Sequence, residues 1–339
     1  MPAQAQIHID QALTNLSVMY RNEAYVADRV LPILPVSKRS DKYFVYRKED
    51  FLSPSPVGAT GVLASLRRPG TEAAEIDYGL SAQNYYAEEY AYRGFVADAE
   101  VAAADNPLQP DMDQTIQLTE RLLLDNEIAV ATLVGKRANY PSSNKVALTT
   151  GGTGTSWASY SSSNSVPFTD IKNGKLAVIK GIAREPNTFL LSVDAARTLA
   201  DHPNVKDLVK YVHQDALTIS GLPKVMRGLN VIEGAAQKNT AAEGAAYSGG
   251  NLWQADDGTA MALIFYRPET PSLRMVSLGY TFAAPDDATG ARGIAVRRWR
   301  EEKRKGTMIE AAFLRDWKFI AVDGSGLALG GYLLTSVTA

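Results

Sequence analysis

Cysteine is absent from the 339 residues of this chain. That excludes disulfide stapling, a cysteine nucleophile and every thiolate metal site. Histidine is scarce. His8, His202 and His213 lie far apart, so a three-histidine metal centre would need distant segments to converge. An excess of either charge is also lacking: 35 Lys and Arg stand against 37 Asp and Glu, a formal charge of -2. Such a chain sets up no global field to draw nucleic acid or an anionic membrane. No run reaches the roughly 20 apolar residues of a membrane span. The opening MPAQAQIHID has no basic segment followed by an apolar run, so no signal peptide is expected.

Catalytic motifs are missing as well. There is no GxSxG elbow and no HExxH. The Gly/Ser/Thr-rich stretch 149–170 lacks the GxxxxGK[ST] pattern, and no lysine follows Gly154, so it reads as a surface or interface loop. Asp256-Asp257 before Gly258, and Asp286-Asp287 after Pro285, are turn signals before they are cation ligands. Glu88 and Glu89 would face opposite sides of a strand and form no paired-carboxylate site. His202 and His213 fall at a helix start and a helix end, where structural roles suffice. The sequence therefore predicts no enzyme, no catalytic residue, no metal and no cofactor.

What is present suits a folded core. Apolar residues make up 45% and charged residues 21%, and the length suggests about two domains. Leu13, Leu16, Met19 or Tyr20, and Ala24 fall at helical spacing in an N-terminal arm that Pro32 and Pro35 close. YFVYRKE (43–49) and the alternation around Tyr78–Gln83 read as two strands, joined by a Pro/Gly/Ser-rich segment with a basic spot at Arg67 and Arg68. This describes either a projecting hairpin covered by a partner or an edge hairpin folded on its own core. Tyr85, Tyr86, Tyr90 and Tyr92 crowd its second arm.

A long helix is predicted over 107–135, with Asp111 and Gln114 as a capping box and Met112, Ile116, Leu123, Val130 and Val134 near one face. Residues 171–284 read as an α/β module: a helix at 171–181, a strand at 189–193 and a helix at 195–200 capped by Asp194. A helix near 203–212 follows, then strands at 229–234, 261–268 and within 272–284. RRWREEKRK (297–305) carries six basic residues and two acidic ones. It suits a nucleic-acid patch, a partly solvated strand pair turning near 303–306, or interfacial salt bridging. The tail GLALGGYLLTSVTA is apolar enough to require burial as a last strand.

This layout resembles the major capsid proteins of tailed bacteriophages, the shared icosahedral shell fold. The phrase LTNLSVMYRNEAYVADRVLPILPVSKRSDKYFVYRKEDF is similar to that family's start. The resemblance implies an α+β fold with an N-terminal arm (1–39) and an extended hairpin, the E-loop (40–96). A peripheral domain (97–170 and 285–339) would hold the spine helix 107–135, and an axial domain would span 171–284. It implies a subunit that self-assembles into pentamers and hexamers of a closed shell around phage DNA. The DNA would be contacted non-specifically, and no membrane is involved. It would sit in the virion, assembled in the host cytoplasm. A separate scaffolding protein, a portal protein and a decoration protein are the further partners implied. Lys42 and Lys48 lie on a strand of the hairpin and not at its tip, which argues against a lysine–asparagine crosslink.

Inter-subunit contacts are expected from Arg67, Arg68, Tyr85, Tyr86, Arg298, Arg300 and Lys303. The arginines would bridge carboxylates across subunits, and the tyrosines would supply apolar area with a polar end. Three rivals remain: an encapsulin-like nanocompartment shell with the same fold, an α/β enzyme using 171–284, and a tail or baseplate component.

Overall fold

The computed structural model describes residues 8–9, 25–47, 67, 69–70, 72, 81–104, 109–149, 155–210, 216–241, 245–246, 248–273, 275–285 and 293–338. In chain order the first elements are β1 (His8–Ile9), α1 (Ala27–Val30), β2 (Ile33–Pro35), β3 (Ser40–Phe44), β4 (Ala82–Tyr86), β5 (Glu88–Ala97), α2 (Asp98–Ala103) and α3 (Pro110–Gly135). Then come β6 (Lys145–Ala147), α4 (Pro167–Ile182), β7 (Thr188–Ser192), α5 (Val193–Asp201), α6 (Pro203–Val209), β8 (Val225–Met226) and β9 (Leu229–Gly234). The last are β10 (Gln237–Asn239), β11 (Gly249–Asn251), β12 (Ala262–Phe265), β13 (Gly279–Ala284), β14 (Ala295–Glu301), β15 (Gly306–Phe319) and β16 (Gly331–Thr335).

Two six-stranded sheets carry the fold. The first runs β1-β14-β15-β13-β2, with β5 on the other side of the long β15. The second runs β6-β16-β12-β7-β9-β8. The strands do not divide at 284/285: β13 pairs with β15 in the first sheet, while β16, near the chain's end, pairs with β12 in the second. The continuous apolar runs of β7 and β12 have both faces covered. Leu190, Leu263 and Phe265 enter one core cluster, while Phe189, Leu191, Ala262 and Ile264 enter another. That split is the period-2 alternation of a strand.

Helix α3, 26 residues and about 39 Å long at roughly 1.5 Å per residue, ties the sheets together. Leu118 and Leu122 pack with Val296, Ile309 and Phe313 of the first sheet. Val130 and Val134 pack in the cluster that holds Met261, Leu263 and Leu333 of the second. Val130 and Val134 of the expected face are buried, but Met112 is exposed, and Thr115, Thr119, Asn126 and Glu127 are buried beside them. Hydrophobicity could not mark those four: the two threonines are satisfied within the helix, and Asn126 and Glu127 by residues distant in sequence. Thr115 Oγ1 donates to Asp111 O and Thr119 Oγ1 to Thr115 O, both at 2.8 Å.

Two expected caps are replaced. Helix α3 starts after Gln109 with Pro110 at its first position and no side-chain cap, so the Asp111–Gln114 box does not form. Helix α5 is capped by Ser192, whose hydroxyl accepts from Ala195 N, two residues before the expected Asp194 cap. Asp194 instead accepts from Asn251 Nδ2 at 2.6 Å. The stretch 149–170 is not wholly a surface loop. Trp157 is fully buried, and its Nε1 donates to Asp170 at 2.9 Å. The expected arm helix lies almost entirely in residues outside those described.

Candidate assembly surfaces

The base of the hairpin is β3 paired antiparallel with β4, Ser40 opposite Tyr86 and Phe44 opposite Ala82. Alternation sends successive side chains to opposite faces. Tyr43 and Tyr85 point inward. Tyr85 is 4% exposed, stacks on Phe282 with centroids 4.7 Å apart, and donates to Lys38 O at 3.1 Å. Burial raises the Tyr85 hydroxyl above the ordinary tyrosine range, aided by the nearby Asp41 carboxylate. Tyr85 is thus committed to its own core, which corrects its expected place among the inter-subunit contacts. Phe44 and Tyr86 point outward, Tyr86 at 54% exposure, with the Arg39 guanidinium 5.5 Å from its ring centroid. The Tyr86 backbone N–H donates to Asp316 Oδ2 at 2.9 Å, which fixes the strand while leaving the ring free to face a partner. Arg67 is exposed, and Arg68 lies outside the described residues.

The basic run 297–305 is the β14–β15 hairpin. Strand periodicity places Arg298 and Arg300 on one face and Arg297 on the other. Arg297 Nη1 meets Glu310 at 3.1 Å and Glu89 at 3.4 Å. Arg298 Nη1 meets Asp111 Oδ2, in the first turn of α3, at 3.3 Å. Arg300 forms a fork on Asp98, with contacts of 2.6 and 2.7 Å. That hydrogen bonding holds the Asp98 carboxyl below the ordinary carboxylate range. Arg298 and Arg300 therefore find carboxylates within their own chain, where bridges to a neighbour were expected. Lys303 is exposed at the hairpin turn, with no ion-pair partner among the described residues. Beside it the Arg304 guanidinium lies 3.9 Å from the centroid of the Phe95 ring.

The junction behind these surfaces is a carboxylate that the sequence reading missed. Glu127, fully buried on α3, accepts from Val26 N at 2.9 Å, Ala27 N at 2.7 Å and Trp253 Nε1 at 2.7 Å. It clips the end of the arm, the spine helix and the 252–255 loop of the second sheet's side to one point. Burial pushes its carboxyl above the ordinary range, against the three donors, which favour the ionised form. The available signal was weak: Asn126 and Glu127 stand between Leu122 and Val130 on the helix's apolar side, but other acids and amides dot the same helix. Alongside it, Trp317 Nε1 donates to Asn126 at 3.0 Å, and Asn126 Nδ2 donates to Asp28 at 3.2 Å.

This architecture of spine helix, long-stranded peripheral sheet and separate α/β sheet defines the class: it is the fold of tailed-bacteriophage capsid proteins. In structure the chain is similar to a phage-related protein of Bordetella bronchiseptica RB50, with a TM-score of 0.70 at 22% identity over 98% of both chains. It is similar to the capsid protein of Cyanophage P-SCSP1u, with a TM-score of 0.58 at 12% identity over 93% of this chain and 89% of that one. An encapsulin of Synechococcus elongatus PCC 7942 shares the fold, with a TM-score of 0.53 at 12% identity over 100% and 94%.

In sequence, the relatives are phage proteins. The major capsid protein of Burkholderia phage BcepMu is 27% identical over 228 residues, covering 67% of this chain and 69% of that protein. The major capsid protein of Pseudomonas phage JBD67 is 28% identical over 204 residues, so the match spans only 60% of either chain. No family model matches the chain.

Proposed function

We propose that this chain is the major capsid subunit of a tailed bacteriophage, self-assembling into the icosahedral head that encloses its double-stranded DNA. The observation that carries the reading is the pairing of two comparisons: a capsid fold over nearly the whole chain and sequence relatives named as phage major capsid proteins. The nanocompartment alternative is supported by fold alone. The role is structural, and the molecule works through repeated surfaces.

In this reading the first sheet with α3 forms the peripheral unit and the second sheet the axial unit. The hairpin that starts at β3 and returns at β4 lies over the adjacent subunit. Tyr86, Lys303, Arg67 and Arg68 face neighbours, and Tyr85 together with the Arg298 and Arg300 pairs stiffens the surfaces that carry them. Weak contacts between exposed groups sum to a stable lattice because each is repeated in every copy. A scaffolding protein, a portal and a decoration protein are the further partners this role calls for, and packaged DNA meets the inner face without sequence readout.

Sedimentation of the chain expressed alone and with its neighbouring genes tests the reading. The expected result is particles in the megadalton range; a monodisperse monomer under both conditions would contradict it. Alanine at both Arg67 and Arg68 is expected to lower particle yield several-fold while leaving the monomer's circular dichroism unchanged. Normal particles from that double variant would remove the pair from the interface.

A further inference from the structure

One exposed side chain has no role in the assembly described so far. Ile219 is 104% exposed at the tip of the turn Thr218–Gly221. The turn is held from several sides. Thr218 N donates to Leu222 O at 2.6 Å, Gly221 N to Thr218 O at 3.0 Å, and Leu222 N to Thr218 Oγ1 at 3.2 Å. Ser220 Oγ anchors it to Glu233 Oε2 at 2.8 Å, and Gly221 takes a φ of 84°. A branched apolar side chain is therefore presented to solvent on preorganised backbone, so little ordering entropy remains to be lost on docking.

The same chain carries a matching concavity. Helix α4 buries Ile171, Val178 and Ile182 on one face and exposes Leu176 and Ile179 on the other, at 44% and 37%. Along that outer face runs a groove of about 490 Å³ lined by Phe168, Leu176, Ile179, Lys172, Lys175 and Arg227, among others. Its walls are fixed: the Arg227 guanidinium sits 4.3 Å from the Phe168 ring centroid, and Lys175 Nζ meets Glu185 at 2.8 Å and Arg227 O at 3.2 Å. The rim is mainly cationic. The segment 216–223 brings no charge of its own, and the charged side chain bonded to it is Glu233, opposite in sign to the rim.

We infer that the Thr218–Gly221 turn of one subunit docks Ile219 into the α4 groove, beside Leu176, of the next copy of this chain. A knob and a socket at different places on one chain make a heterologous contact, the kind that closes rings. The size of the knob favours a second copy over an independent partner. Stable interfaces bury about 800 Å² per side, and one isoleucine supplies a small part of that. It is enough where other contacts already hold two copies side by side. The inference rests on the shell reading above.

The absence of cysteine makes the test clean. Ile219→Cys and Leu176→Cys are combined in one chain, assembled particles are oxidised, and the products are separated by non-reducing electrophoresis. A ladder of covalent multimers is expected from the double variant, and monomer alone from either single variant. Particles co-assembled from the two single variants should give the same bond as covalent dimers, which covers a double variant that assembles poorly. Intact particles with no covalent product in either format would overturn the docking. Multimers from Ile219→Cys alone would also overturn it, because the knobs would then meet one another. Failure of the unmodified chain to form particles refutes the shell reading, and is seen before any oxidation.

Discussion

Glu127 is enclosed by three donors from two separate parts of the chain, and two carboxylate oxygens serve all of them. Glutamine offers one acceptor oxygen and turns an NH2 group toward donors. Glu127→Gln is therefore expected to cost about 1–3 kcal/mol, the penalty of leaving a buried donor unmet. Chemical denaturation measures it; an unchanged midpoint would remove the clip from the account. The pH dependence has a definite sign. The folded-state carboxyl titrates above its ordinary value, so the folded chain holds that proton more tightly than the unfolded one. Stability from this group is complete at low pH and is lost as pH rises from the ordinary glutamate value through the raised one. The Gln variant lacks that slope. Composition did not reveal Glu127, because an acid at a helix position signals exposure unless its partners are known, and those partners lie about 100 and 126 residues away in sequence.

Strand alternation separates Tyr85 from Tyr86 at the scale of the element. Tyr85→Ala is expected to destabilise the isolated subunit by about 3 kcal/mol, as for other buried aromatic rings. Tyr86→Ala is expected to leave the subunit's unfolding midpoint in place and to lower particle yield. The reverse pattern would place β4 in the other register. Local pattern made most elements legible. The alternation in 295–319 yielded β14 and β15, and the long periodic segment yielded α3 to within a few residues at its start. The apolar tail yielded β16. Sheet membership was not legible. Local sequence cannot say that β13 joins the first sheet while β16 joins the second, because both choices depend on pairing between distant strands. The same limit explains Arg298 and Arg300. They were expected to bridge carboxylates across subunits, but the carboxylates opposite them come from Asp111 and Asp98, roughly two hundred residues earlier.

In the whole molecule, one buried cluster runs from Leu34 and Phe282 of the first sheet through Val130 and Val134 of the spine to Leu263 and Leu333 of the second. The sheets are thereby held on one beam, and the hairpin base joins the same core through Tyr43 and Tyr85. A subunit built this way suits a lattice in which each copy is gripped at several distant points. Tyr86, Lys303 and Ile219 remain exposed on its surface. The most direct measurement is electron microscopy of the purified chain, followed by reconstruction of whatever closed object it forms. The account predicts an icosahedral shell of pentamers and hexamers in which the 40–96 hairpin of each subunit lies across the next. Open tubes or rings without icosahedral closure, or a hairpin folded back on its own subunit, would contradict it.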